Sequence, residues 1–370
     1  MAMTHSANRP AALAARRSQA RRLLARSVAI VLAAVLAGCA ASDPPVEPDS
    51  DPRDVLIQKA VDAGSSCVVV SQEGEVVVEH SAGVDEPTRA FSVTKSVTAL
   101  LIGIAQDAGH LSINDPVSRF VPEWVGTPSD SVTIRDILTN TSGREWDSRT
   151  DYRDMAMKAA DKTSLAISLS QEAEPGTTWI YNNSAVQVLE AVLETATGMP
   201  VDEFATTALF QSLGMADSHI EQDEAGNANV FAGLWTTCSD LVRLGQMVLD
   251  DGAAPSGEQI VSRQFLEEAT AAPSTELNAA YGYLWWLNHP GDAVTPEVAT
   301  TGKGGSIDGP IVPRAPEDTL WALGFNNQVL AILPSQGVIA VRLGPKPPKD
   351  VDMSVRPFTD SVLDVIAEPA

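Results

Sequence analysis

Apolar positions alternate with short polar interruptions at both ends of the chain, and follow a helical period between them. "CVVVSQ" and "EVVVEHSAG", residues 67–72 and 75–83, are β-branched runs separated by Glu73 and Gly74 and predict a β-hairpin. Near the other end, "YGYLWWL", "TLWALGF", "VLAILP" and "GVIAVRLG" predict four more strands, the last two joined by a tight Ser335-Gln336 turn. Between them the apolar residues recur every three to four positions. "SVTALLIGIAQDA" predicts a helix over 93–108 that Gly109 stops, and "SAVQVLEAVLETATG" and "CSDLVRLGQMVLDDG" predict helices ending at Gly198 and Gly252. "SVTIRDILTNTSG" starts with a polar cap and gathers Ile134, Ile137 and Leu138 on one face, and a short helix is expected over 55–63. Strands at both ends and helices between them predict an α+β fold: an antiparallel sheet built by 55–125 together with 277–370, and a mostly helical region over 126–276.

Ahead of this lies a different kind of sequence. Arginines at 9, 16, 17, 21, 22 and 26 precede "SVAIVLAAVLAG", an apolar run of 12 residues, shorter than the about 20 a bilayer span requires. Residues 1–38 therefore predict a signal peptide. "LAGC" resembles a bacterial lipobox, with cleavage before Cys39 and lipidation of that cysteine. The Pro-, Asp- and Ser-rich stretch 39–54 would then be a flexible tether, and the expected location is extracytoplasmic, on a membrane reached through the lipid anchor.

Charge narrows the partners. Six of the 25 Lys and Arg residues and none of the 48 acids fall in 1–38, so the rest of the chain carries a net charge of -29. Phosphate backbones require a basic face, which argues against nucleic acid as a partner. Cys67 and Cys238 remain in the folded part, one in a strand and one at a helix start; two buried free thiols are the expectation.

The chemistry begins at "FSVTKSVTALL". Ser92 and Lys95 are three apart at a helix start, so one face carries a hydroxyl and an amine that could take its proton. The competing account makes Ser92 a helix cap and Lys95 a surface residue. "PGTTWIYNNSAVQ" adds Tyr181, a phenol able to act as base if cations lower its pKa, and Asn183, an amide able to hold Lys95 or a substrate carbonyl. There is no Gly-x-Ser-x-Gly elbow, His-Glu-x-x-His, Cys-x-x-Cys or phosphate loop. None of the five histidines has the context of a triad base, and no metal or organic cofactor is implied.

Together these motifs resemble the serine β-lactamase and penicillin-binding-protein superfamily, in its class C and esterase-like branch. "GHLSINDPVSRFVPEW", "TIRDILTNTSG", "PGTTWIYNN" and "AGLWTTCSDLVRLGQMVL" follow the family's order, and the late segment 312–344 is similar to the 6-aminohexanoate-dimer hydrolases. The resemblance implies acylation of Ser92, a proton shuttle shared by Lys95 and Tyr181, a substrate-holding Asn183, and an oxyanion hole from the amides of Ser92 and Phe325. One departure stands out. Where the family carries Lys or His, Ser or Thr, then Gly, this chain has Ala322-Leu323-Gly324, and the cation that would meet a β-lactam carboxylate is missing. "TTGKGGSIDG", 300–309, holds Lys303 in the wrong order and is expected to be a loop. Cleavage of small esters or amides is thus expected ahead of β-lactamase or D-alanyl-D-alanine carboxypeptidase activity. A non-catalytic binder of cell-wall fragments is the remaining alternative, and an intact Ser, Lys and Tyr set speaks against it. Trp146, Trp179, Trp285 and Trp286 are candidates for an aromatic wall.

Overall fold

The computed structural model describes residues 50–83, 86–301 and 305–367; the expected signal peptide and residues 39–49 of the expected tether, Cys39 among them, lie outside the described residues. In chain order the strands are β1 (Cys67–Gln72), β2 (Glu75–Ser81), β3 (Thr88–Phe91), β4 (His219–Ile220), β5 (Leu234–Thr236) and β6 (Trp286–Leu287). They continue as β7 (Asp292–Ala293), β8 (Ile307–Asp308), β9 (Leu320–Gly324), β10 (Gln328–Leu333) and β11 (Val338–Leu343). The main sheet has the order β2-β1-β11-β10-β9-β6, with every neighbour antiparallel. The N-terminal hairpin is thus added to a C-terminal meander, as the pattern of the two ends predicts. Glu73 and Gly74 both have positive φ, 51° and 81°, the backbone that a two-residue hairpin turn needs to match strand twist.

Strands β10 and β11 are buried along their whole length, because helices cover both faces of the sheet. Directly paired residues share a face, so Trp321, Ala331 and Ala340 line one side, and Leu320, Ile332 and Ile339 the other. Trp321 donates its indole N–H to Thr359 of the C-terminal helix Val355–Ala367. Opposite, Ile339 meets the helix Cys238–Leu249 at Gly245, where an added Cβ would lie 2.8 Å from Ile339 Cγ2. The helix Pro52–Asp62 begins earlier than expected, with Asp51 capping it, and Lys59 bonds Ser361 of the terminal helix.

Cys67 and Cys238 are joined by a disulfide, contrary to the expectation of free thiols. The cause is tertiary. The Cys238–Leu249 helix starts against the beginning of β1, which brings the two Cα atoms to 6.2 Å, within the range a disulfide spans. With the cysteines 171 positions apart, the loop-entropy account gives about 5 kcal/mol of stabilisation. Two further segments differ from their patterns. "YGYLWWL" forms a strand only at Trp286–Leu287, because Leu284 takes φ 58° and the chain folds back, Gly282 N bonding Trp285 O. Residues 300–309 are not wholly loop: the helix Pro296–Thr301 ends there and Ile307–Asp308 pairs with β7, while Gly302, Lys303 and Gly304 lie outside the described residues.

Candidate active site

The helix Val93–Asp107 runs through the core with 12 of its 15 residues buried, so its first turn is held in place from every side. Strand β3 delivers the chain to it. Phe91, the last residue of that strand, has φ 49°, a conformation costing a non-glycine residue about 1 kcal/mol or more. Thr94 latches the turn: its hydroxyl donates to Phe91 O at 2.5 Å and accepts from Leu234 N at 2.9 Å. Ser92 occupies the helix-capping position, yet its hydroxyl makes no capping bond, which disposes of the capping account.

Lys95 is 1% exposed, so it is not a surface lysine either. Its ammonium has three N–H groups and three acceptors: Ser92 Oγ at 3.0 Å, Asn183 Oδ1 at 2.6 Å and Phe231 O at 3.0 Å. The nitrogen also lies 4.8 Å from the Tyr181 ring centroid and 5.4 Å from that of Phe231. Burial lowers its pKa to about 7, partly opposed by the charge of Asp151. Tyr181, 5% exposed, shares a hydrogen bond with Ser92. Burial, the largest influence, drives its pKa upward, so Tyr181 is a neutral phenol at pH 7. The condition under which it could be a base, a cation lowering its pKa, is not met.

Asn183 opens the helix Asn183–Thr197, and the helix is capped by its neighbour Asn182, which accepts from Ala185 N at 2.9 Å. That leaves the Asn183 amide free to bridge Lys95 and, through Nδ2, Asp151 Oδ2 at 2.8 Å. Asp151 is the site residue that sequence reasoning missed. It lies in the π-helical segment Arg149–Lys158, whose run of charges reads as a solvated face, and no spacing signals that one carboxylate turns inward.

The end of β9 closes the other side. An added Cβ on Gly324 would lie 2.1 Å from Ala90 O, two residues before Ser92. The turn that follows is gripped from behind: Arg342 donates to Asn326 O at 2.7 Å and Asn327 O at 3.2 Å, and Gln328 to Phe325 O at 3.1 Å. Phe325 itself is 68% exposed and stands edge-on to Phe91, centroids 5.7 Å apart. Ala322 is fully buried on β9 and offers no cation. Of the four candidate tryptophans, Trp179 and Trp286 border the site, meeting Tyr281 edge-to-face at centroid distances of 5.3 and 4.8 Å, and Trp286 lies 5.7 Å from Tyr181. Trp285 is buried in the core, and neither it nor Trp146 joins these ring contacts among the described residues. Tyr281, the hub of that cluster, was not among the candidates.

Comparison with known proteins bears on the family and the fold. The chain is 26% identical over 248 residues to the 6-aminohexanoate-dimer hydrolase of Paenarthrobacter ureafaciens, covering 62% of each. It is 29% identical over 179 residues to esterase EstB of Burkholderia gladioli, covering 40% of this chain and 45% of that one. In both cases it spans less than two thirds of the relative's length. The solved structure of a penicillin-binding-protein homologue from Caulobacter crescentus superposes with a TM-score of 0.62 at 18% identity, over 86% of this chain and 97% of the other, a likeness of fold. The model of the beta-lactamase family matches residues 54–360, and the chain belongs to that family.

Proposed function

We propose that the protein is a serine hydrolase that forms an acyl-enzyme on Ser92 and cleaves small esters or amides. The observation that carries this is a buried amine of pKa about 7 set 3.0 Å from a serine hydroxyl that has no structural employment. When Lys95 is neutral, the carbonyls of Asn183 and Phe231 take its two N–H groups, and its lone pair is directed at Ser92 Oγ. Ser92 Oγ then bonds the substrate carbonyl carbon as its proton passes to Lys95. The carbonyl π pair moves onto oxygen, and the amides of Ser92, at the helix N-terminus, and Phe325, after the end of β9, are its proposed donors. Tyr181, kept protonated by burial and bonded to Ser92, donates to the departing oxygen or nitrogen and regains a proton from Lys95. Water repeats the sequence in reverse on the acyl-enzyme.

The absence of a cation at Ala322, and the apolar Leu323 and exposed Phe325 beside it, favour acyl groups without a carboxylate. A missing charged hydrogen bond costs a carboxylate substrate about 1.5 to 3 kcal/mol, a factor of roughly 10 to 150. The similarity to an esterase and to a 6-aminohexanoate-dimer hydrolase supports the same reading. We also propose that Cys39 anchors the enzyme at the cell surface, on the strength of the arginine-led apolar run and "LAGC" before the polar tether. The test of the reaction is turnover of p-nitrophenyl butyrate and of a chromogenic cephalosporin by the protein and by Ser92→Ala. Ester turnover that disappears with Ser92 is expected; full ester turnover by Ser92→Ala would show that another group does the chemistry.

A further inference from the structure

The Ser92–Lys95–Asn183 chain does not stop at the amide. We infer that Asp151 is a positioning residue for the reaction: through Asn183 it fixes which way Lys95 faces, and its charge sets the pH at which Lys95 can accept the serine proton.

Asp151 is buried, and every group bonded to it is a donor. Oδ2 accepts from Asn183 Nδ2 at 2.8 Å and from Asn183 N at 3.4 Å; Oδ1 accepts from Ser184 N at 2.8 Å and Ser184 Oγ at 2.9 Å. Burial raises the Asp151 pKa, while the two backbone N–H groups and the Asn183 NH2, which can only donate, oppose that rise and favour the ionised carboxylate. The consequence for Asn183 is geometric. An amide whose NH2 is taken by a carboxylate must present its oxygen on the other side, and there it receives Lys95 Nζ at 2.6 Å. Were the amide reversed, two donors would face each other at Lys95 and two acceptors at Asp151. The carboxylate thus decides the rotamer of Asn183, which in turn holds one of the two N–H groups that neutral Lys95 must give up to aim its lone pair at Ser92.

The charge has its own effect. Burial drives the Lys95 pKa down and Asp151 holds it up; the carboxylate is the group that opposes the loss of the proton. The other titratable groups near the pair are phenols, Tyr152 and Tyr181, whose pKa values are both raised by burial and by Asp151. Arg149, Arg153 and Asp154, on the same segment as Asp151, engage one another on its outer side, with Arg149 3.5 Å and Arg153 3.9 Å from Asp154. No cation among the described residues bonds Asp151 directly; Lys95 reaches it through Asn183.

This inference rests on the proposed roles of Ser92 and Lys95, so Ser92→Ala is measured beside it: residual turnover there would undo that reading rather than this one. Asp151→Asn presents an amide to the Asn183 amide and removes the charge. The expected result is a kcat lowered about tenfold or more at unchanged KM, and a midpoint of the acid limb of kcat/KM shifted down by about one pH unit, because Lys95 then loses its proton more readily. Asp151→Glu, which keeps the charge, is expected to hold the midpoint near that of the unaltered protein whatever its kcat. A purely structural Asp151 would lower activity or melting temperature and leave the midpoint where it was, and that outcome overturns the inference. If Asp151→Asn does not fold, the Asp151 carboxyl carbon resonance of the unaltered protein decides: ionised between pH 6 and 8 supports the inference, protonated throughout refutes it.

Discussion

Gly324 offers a perturbation whose size can be read from coordinates. An alanine methyl at this position would sit 2.1 Å from Ala90 O and 3.2 Å from Ala90 C, with Gln328 Cβ at 3.0 Å on its other side. Side-chain carbons do not approach carbonyl oxygens closer than about 3.0 Å, so Gly324→Ala must open the gap between β9 and β3 by about 0.9 Å. The nearest atom, Ala90 O, is backbone and cannot rotate away. Ala90 cannot yield without disturbing Phe91, already at φ 49° and latched by Thr94, and behind it Ser92. The movement therefore falls on the distance between Ser92 and the Phe325 amide, the two donors proposed for the oxyanion. A misplacement of roughly 1 Å in a reacting constellation costs about a hundredfold, or about 2.7 kcal/mol of transition-state stabilisation. The assay is steady-state hydrolysis of p-nitrophenyl butyrate with the acylation burst measured separately, and thermal unfolding as the control for global damage. We expect kcat and the burst rate to fall about a hundredfold while the protein remains folded. A folded Gly324→Ala with unchanged burst rate would mean that the end of β9 takes no part in acylation.

Two more outcomes follow from the burial of Lys95 and from the proposed lipid anchor. Because the folded state releases the Lys95 proton near pH 7 while the unfolded chain keeps it to about 10.5, the unfolded state binds more protons across that window, and Lys95 makes stability rise with pH there, by up to about 1.4 kcal/mol per pH unit. Urea unfolding at pH 7 and pH 9 should show this slope in the unaltered protein and a smaller one in Lys95→Met, which is inactive; equal slopes would contradict the depressed pKa. Metabolic labelling with palmitate in a bacterial host should mark the full chain and spare Cys39→Ala, and equal labelling of the two would remove Cys39 as the anchor.

What could be read from the chain alone followed local geometry. Residues three apart on a helix share a face, so Ser92 and Lys95 were legible together, and Tyr181 and Asn183 came with a run whose order matched a known family. The terminal strands were legible because β-branched residues alternate with two-residue turns such as Glu73-Gly74. Asp151 was not: its inward turn depends on donors from Asn183 and Ser184, more than 30 positions away, and nothing in "SRTDYRDMAMK" separates it from Asp154. The Cys67–Cys238 bond was hidden for the same reason, since only the packing of a helix on β1 brings the thiols together. "YGYLWWL" misled because its composition suits a strand, while Ser96 donating to Leu284 O and Leu284 N donating to Leu138 O hold it in a turn. Ala322 was read as standing where the family carries a cation; the structure adds that the residue is completely buried on β9.

The order of the main sheet carries a consequence for biogenesis. The first two strands to leave the ribosome, β1 and β2, have no partner in the sheet other than each other until β11 arrives, more than 250 residues later. Loop closure over such a span is slow compared with local pairing, so the hairpin waits with one edge open while the rest of the chain is made. Val338–Leu343 then pairs with β1 on one side and β10 on the other, and this single segment finishes the sheet. Truncation before it would leave two apolar edges exposed at once, which makes the integrity of the last 33 residues a condition for escaping aggregation and not merely for activity.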